Sequence, residues 1–84
     1  PEASVAAGIH PSAVVDPDAQ VDPSASIGPH CSIGPRCRVG ARAVLGPGCT
    51  LGPDCEVGED CHLTARVSLV TRVRLGRRVR IHPG

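Results

Sequence analysis

The chain contains no phenylalanine, tryptophan, tyrosine or methionine, and neither lysine nor asparagine. Without aromatic anchors a conventional core packed around large rings is excluded. No run of about 20 apolar residues exists, so a membrane-spanning helix is excluded as well. No signal peptide is visible, and the opening Pro1-Glu2, without Met, reads as that of an excised piece. Eighty-four residues allow one small domain, and a globule this short buries only about 60% of its unfolded surface. What is plentiful is glycine, 10 residues, and proline, 9. That density would break any ordinary helix bundle.

The aliphatic residues decide between disorder and order, because they are arranged. Counting in sixes from Ile9, the first place is held by Ile9, Val15, Val21, Ile27, Ile33, Val39, Leu45, Leu51, Val57, Leu63, Leu69, Leu75 and Ile81. Every one is a branched aliphatic. The fifth place is held by Ala13, Ala19, Ala25, Cys31, Cys37, Ala43, Cys49, Cys55, Cys61, Val67, Val73 and Val79, all compact and uncharged. The fifth place of one hexad and the first of the next are two residues apart, so on an extended strand both face one side. Thus Ala13 and Val15 are expected to point inward and Val14 outward. The second place is usually Gly, or Asp at 16 and 22, and the third is often Pro. Such residues suit a bend, glycine through its freedom of φ and proline through its fixed φ. The Gly-Pro order does not match the simple Pro-Gly signature of a type II turn, so the turn type stays open.

A short strand and a corner every six residues describe a prism. Three faces close one coil in 18 residues, giving about four coils and a rod about 19 Å tall at the usual strand spacing. Its narrow interior is filled by aliphatic columns, which dispenses with aromatics. The expected fold is all-β, a three-sided parallel β-helix over 9–84 preceded by a linker or cap at 1–8.

Charge gives an independent check. Residues 18 apart become neighbours, so Asp18, Arg36, Asp54 and Arg72 form a column of alternating sign. Arg42, Asp60 and Arg78 form another; Arg38, Glu56 and Arg74 a third; Glu59 lies under Arg77. Opposite charges side by side stabilise a sheet and like charges destabilise it. A coil of two or four sides would lose the pattern. Along the chain the signs separate: residues 1–60 hold all eight acids and three Arg (−5), residues 61–84 hold six Arg and no acid (+6), which sum to +1. The end bearing Arg66, Arg72, Arg74, Arg77, Arg78 and Arg80 can attract phosphates or an acidic partner protein, or its acids can lie in coils beyond residue 84. Nucleic acid is not expected, since no aromatic can stack a base.

All five cysteines sit at the inward fifth place. Cys31 and Cys49 stack one coil apart, as do Cys37 and Cys55, but parallel side chains in a packed column are poorly aimed for a disulfide. The odd count suits a reducing, cytoplasmic compartment. Five buried thiols acting as small hydrophobes are expected, and the absence of any C-x2-C pair argues against zinc. Of the histidines, His10 and His82 stand at corners before Pro and are expected to serve turns. Only His30 and His62 face outward in a way that suits a general base or metal ligand. No catalytic triad or phosphate loop can be assembled, because the glycines are used at corners.

The pattern aliphatic-Gly-x-x-small-x resembles the hexapeptide repeat of left-handed parallel β-helices, the fold of many acyl- and acetyltransferases. The left hand is implied by that resemblance. Gly8-Ile9-His10-Pro11-Ser12-Ala13-Val14-Val15-Asp16-Pro17 resembles the segment opening the β-helix of the UDP-3-O-acylglucosamine N-acyltransferases of bacterial lipid A (lipopolysaccharide) biosynthesis. Arg78-Val79-Arg80-Ile81-His82-Pro83-Gly84 resembles a later stretch of the same family. The UDP-N-acetylglucosamine O-acyltransferases open with a similar Ile-His-Pro phrase, so both families stay open. The resemblance implies a homotrimer with sites between subunits, an acyl carrier protein delivering a 3-hydroxyacyl thioester, a UDP-sugar acceptor and no cofactor. It places the catalytic histidine downstream of this chain, and an N-terminal uridine-binding domain and a C-terminal helical extension outside it. None of His10, His30, His62 and His82 matches the catalytic motif, so no catalytic, cofactor-binding or metal residue is assigned. The chain is expected to be a structural, inactive fragment of an enzyme. The rival expectation is a non-catalytic scaffold or an assembly segment associating end to end. A γ-class carbonic anhydrase would need three metal-binding histidines, which these positions do not supply.

Overall fold

Each hexad folds as two extended residues followed by a corner. The structure, a computed structural model, describes residues 7–82; residues 1–6 of the expected linker and the final Pro83-Gly84 lie outside them. The strands run β1 Gly8–Ile9, β2 Val14–Val15, β3 Gln20–Val21, β4 Ser26–Ile27, β5 Ser32–Ile33, β6 Arg38–Val39 and β7 Val44–Leu45. They continue as β8 Thr50–Leu51, β9 Glu56–Val57, β10 His62–Leu63, β11 Ser68–Leu69, β12 Arg74–Leu75 and β13 Arg80–Ile81. Each strand from β1 to β10 pairs in parallel with the one three places on, in the 18-residue register of Gly8 with Ser26 and Val15 with Ile33. Three sheets result: a first of β1-β4-β7-β10-β13, a second of β2-β5-β8-β11 and a third of β3-β6-β9-β12. No helix occurs among the described residues. This is a three-sided β-solenoid of about four turns, consistent with the left-handed coil that the repeat implies.

The core is the two inward columns. Ala25, Ile27, Cys31, Ile33, Cys37, Val39, Ala43, Leu45, Cys49, Leu51, Cys55, Val57, Cys61, Leu63 and Val67 are buried. Leu45, in the middle, is 1% exposed, Ile9 at the N-terminal end is 47% exposed, and the outward Val14 is 67% exposed. Burial therefore grades along the axis, because an end coil has a neighbour on one side only.

All five cysteines are free and buried. Their thiols do more than fill space: each donates to a backbone carbonyl fifteen residues on, at the second hexad place. Cys31 Sγ reaches the Gly46 oxygen at 3.1 Å, Cys37 that of Gly52 at 2.9 Å and Cys61 that of Gly76 at 2.9 Å. Cys49 and Cys55 bond Thr64 and Val70 in the same way. A weak donor thus serves a corner carbonyl that alanine would leave without a side-chain partner. Burial pushes the Cys31 and Cys37 thiols up from their ordinary value, which keeps them protonated and unreactive.

The corners show why the second place is glycine, and the reason differs from the one expected. The repeated second-place glycines do not sit at positive φ; only Gly8 and Gly48 do among the described glycines. What they need is room. A Cβ on Gly28 or Gly34 would come within 2.9 Å of the carbonyl oxygen of Leu45 or Leu51 in the next coil. The left-handed conformation falls instead at the fourth place, at His30, Arg36, Arg42, Asp54, Asp60, Arg66, Arg72 and Arg78, with φ between 57 and 62°. Gly, Pro and a left-handed residue are thus the first three positions of a type II-like turn, so proline holds its usual second position. The glycine ahead of it answers to the neighbouring coil.

Candidate functional site

The 18-residue coil sorts the chemistry by side. His10, His30, His62 and His82 fall at remainders of 10, 12, 8 and 10 when their numbers are divided by eighteen. All four therefore lie on the first sheet or on the corner joining it to the second. Every acid of the described residues lies elsewhere, on the third sheet or at the other two corners. The coil gathers the imidazoles along one edge and keeps carboxylates off it. Tests of near spacings such as i, i+4 miss this edge; the coil period was the signal that could have found it.

Along that edge the first sheet carries a shallow apolar groove of about 470 Å³, lined in part by Ile9, Ile27, Pro29, Val44, Leu45 and Pro47. Gly8, Gly28 and Gly46, which carry no side chain, also line it. A second depression of about 500 Å³ lies at the corner, between His30 and Arg66. There Gly48 takes the fourth place with φ of 73°, and its N–H donates to the Pro29 oxygen at 2.9 Å. His30 and Arg66 flank this notch from one coil below and one coil above. His30 is exposed, and its backbone N–H donates to Ser12 Oγ at 3.0 Å.

The four histidines share an edge without forming a constellation. His10 serves its own turn: its Nδ1 accepts from the Ser12 N–H at 3.1 Å and lies 2.8 Å from Ser12 Oγ. His62, half-buried in β10, has Val44 and Arg80 as its in-register neighbours. Neither can accept from an imidazole N–H and orient the ring, as a general base requires. His82 is exposed at the opposite end from His10. Among the described residues no three of His, Cys, Asp and Glu come together as a metal would need.

The other two corners and the third sheet carry the ion pairs. Arg36 binds Asp54 through two bonds, Nε to Oδ1 at 2.7 Å and Nη2 to Oδ2 at 3.2 Å. Arg42 holds Asp60 with the same fork at 2.8 and 2.9 Å. Arg77 meets Glu59 at 3.0 Å, and Arg74 approaches Glu56 at 3.9 Å. The forked guanidinium hydrogen bonds hold the Asp54 and Asp60 carboxyls below the ordinary aspartate value. The same bonds raise the Arg36 and Arg42 guanidiniums further. Each pair spans 18 residues, so each expected column contributes one observed ion pair: Arg36–Asp54, Arg42–Asp60, Arg74–Glu56 and Arg77–Glu59.

Residues 6–46, just under half of the chain, match the family described as Bacterial transferase hexapeptide (six repeats). No curated protein matches the chain significantly. The family match and the three-sheet coil together support a scaffold of the acyltransferase type. No helix of the described residues is long and apolar enough to cross a membrane.

Proposed function

We propose that the chain is the β-helical trunk of an acyltransferase that moves a 3-hydroxyacyl group from acyl carrier protein to the amine of a UDP-3-O-acylglucosamine. In this reading the trunk itself is structural and inactive, works as a homotrimer and stays in the cytoplasm. The observation that carries it is the unbroken six-residue column, with residues 6–46 matching the bacterial transferase hexapeptide family. The opening Ile9-His10-Pro11 phrase supports a lipid A enzyme, N- or O-acylating. The acid-free histidine edge supports the first sheet as the side on which a negatively charged carrier protein and nucleotide sugar approach. No step of the transfer is assigned to His10, His30, His62 or His82; the general base belongs to a segment outside the chain.

The test is a chimera. Residues 9–84 replace the first coils of an authentic UDP-3-O-acylglucosamine N-acyltransferase, and transfer from 3-hydroxyacyl carrier protein is assayed. The expected result is a folded trimer that retains turnover, while the 84-residue chain alone shows none. A chimera with a native circular dichroism spectrum and no turnover overturns the reading, and turnover by the chain alone overturns its inactivity.

A non-catalytic scaffold or assembly segment is the second reading. It is favoured by one observation, the opposite charge of the two coil ends.

A further inference from the structure

At the fourth hexad place, coils 2, 3 and 4 stack three residues at each of the three corners. The corner between the second and third sheets stacks Arg36, Asp54 and Arg72, and the corner between the third and first stacks Arg42, Asp60 and Arg78. Each middle carboxyl is held below its ordinary value by the hydrogen bond from the arginine beneath it, helped by the charge of the arginine above. The corner between the first and second sheets stacks His30, Gly48 and Arg66. It has an imidazole below and a guanidinium above, but its middle residue carries no side chain. The notch of about 500 Å³ lies where the other two corners carry an acid.

Both flanking side chains keep their donors free. The backbone N–H groups of His30 and Arg66 are used, by Ser12 Oγ at 3.0 Å and the Pro47 oxygen at 2.9 Å. Among the described residues, the ring and the guanidinium make no hydrogen bond or ion pair. The Arg66 stem leans over the gap, with its Cγ 3.3 Å from the place that a Gly48 Cβ would occupy. The carboxylates of the described residues lie off this edge, so an anion arriving here meets no like charge beside it.

We infer that this notch binds the phosphoryl group of a small ligand, which takes the place of the missing carboxylate. The spacing favours phosphoryl over carboxylate. His30 and Arg66 are two coil steps apart, about 10 Å along the axis. A carboxylate on a guanidinium fork spends both oxygens there, as Asp54 does on Arg36, and so faces one side only. A phosphoryl group offers at least three acceptor oxygens on a tetrahedral centre, so two can take the Arg66 fork while another accepts from the His30 ring. Pro47 and Ala65 line the rest of the notch, leaving an apolar wall for whatever carries the phosphoryl. The inference does not rest on the acyltransferase reading, because it needs only the stacked corners of coils 2–4.

Titration of the 84-residue chain at low ionic strength with inorganic phosphate and, separately, with glucose 1-phosphate tests it, read by the NMR signals of the His30 ring and the Gly48 amide. Both ligands should move these signals at a single site, and glucose should not. Tighter binding of the ester assigns the site to a phosphate monoester, and equal binding assigns it to phosphate itself; both support a phosphoryl site. Arg66→Gln should weaken binding about tenfold or more, and His30→Ala about threefold or more. Gly48→Asp should abolish it by supplying the carboxylate within the chain. That variant suits the backbone, since Gly48 has φ of 73° and Asp54 and Asp60 already hold the same place at 62 and 58°. Asp54→Gly copies the open arrangement at a second corner and should add a second binding event, between Arg36 and Arg72. Silent His30 and Gly48 signals, binding that Arg66→Gln or Gly48→Asp leaves unchanged, or no second event in Asp54→Gly overturns the inference. Failure of the chimera to turn over leaves it standing, because no transfer is measured here.

Discussion

The corners of the first coil and the corners of the coils above it follow the same path with different chemistry. In coil 1 the second place is His10, Asp16 or Asp22, and the turn closes on itself. Ala13, Ala19 and Ala25 donate back to the carbonyls of those residues at 2.9 Å. The fourth-place residues Ser12, Asp18 and Ser24 keep ordinary φ, and their N–H groups are taken by the second-place side chains, Asp16 Oδ1 and Asp22 Oδ1 at 2.9 Å each. In coils 3 and 4 the fourth place is left-handed, and its N–H points down to a third-place carbonyl of the coil beneath. Asp54 reaches Pro35 at 3.0 Å and Arg66 reaches Pro47 at 2.9 Å. Coil 2 mediates, since the His30 and Arg42 N–H groups donate to the hydroxyls of Ser12 and Ser24. A buried or half-buried N–H must find a partner. Where a described coil lies beneath, it supplies one, a serine hydroxyl for His30 and Arg42 and a backbone carbonyl in coils 3 and 4, and the residue adopts a left-handed φ to reach it. Where none does, a short polar side chain supplies it locally and the strain is avoided.

The largest contrast lies at the second place. Gly46→Ala drives a Cβ into the Thr64 carbonyl of the coil above, whereas the same change at Gly76 meets nothing within 4 Å. Gly46→Ala should cost about 3 kcal/mol or more, since backbone cannot step aside as a side chain can. Gly28→Ala, with its 2.9 Å approach, should fall between, and Gly76→Ala should stay within about 0.5 kcal/mol. Urea denaturation of the three variants orders them. Equal costs would break the distinction between interior and end corners.

A smaller contrast concerns acid and salt. Hydrogen bonds from the Ser24 hydroxyl and N–H hold Asp22 below its ordinary value, while Arg36 and Arg42 do so for Asp54 and Asp60. In each case the folded pKa lies below that of the unfolded chain. The stability they contribute is present above the unfolded aspartate value, about 3.9, and is lost as pH falls through the lower folded values. Melting temperature should therefore drop as pH is lowered below about 4. Salt at about 1 M, where screening acts within about 3 Å, separates the two kinds of corner. It should weaken the Arg36–Asp54 and Arg42–Asp60 pairs and leave the Asp22 cap in place. Asp22→Asn keeps an accepting oxygen and should melt close to the parent at neutral pH, while Asp54→Asn should lose the share of the salt sensitivity that its pair with Arg36 contributes.

What could be read in the residues was whatever repeats. The Ile9-to-Ile81 column fixes the period, and the sign alternation at Arg36, Asp54 and Arg72 fixes three sides, because both depend only on which residues stack. The corner was harder. Gly28-Pro29 looks like flexibility followed by rigidity, but the glycine answers to Leu45, seventeen residues away, and that contact appears only once coils are stacked. His30 and Arg36 carry no local mark of a left-handed backbone, since Arg has no preference for it; the place was set by the coil. The histidine edge was hidden for a different reason. His10 and His82 are 72 residues apart, four whole coils, and only division by eighteen brings them to one side.

The smallest expected effect sharpens the same comparison from the other side. Arg72 adopts φ of 61°, and its N–H donates to the Pro53 oxygen at 3.1 Å. Its side chain has no acid to itself, because Asp54 is bound to Arg36. A left-handed conformation costs a non-glycine residue about 1–2 kcal/mol, and glycine avoids that cost while losing more entropy on folding, about 0.5–1 kcal/mol. Arg72→Gly should therefore stabilise the chain slightly, by a few tenths to about 1 kcal/mol. Ser24→Gly, at a corner without left-handed backbone and with a hydroxyl that serves both Asp22 and the Arg42 N–H, should destabilise it. Opposite signs in paired thermal melts are the outcome that two kinds of corner require; a common sign would mean that strain at the fourth place has no energetic consequence.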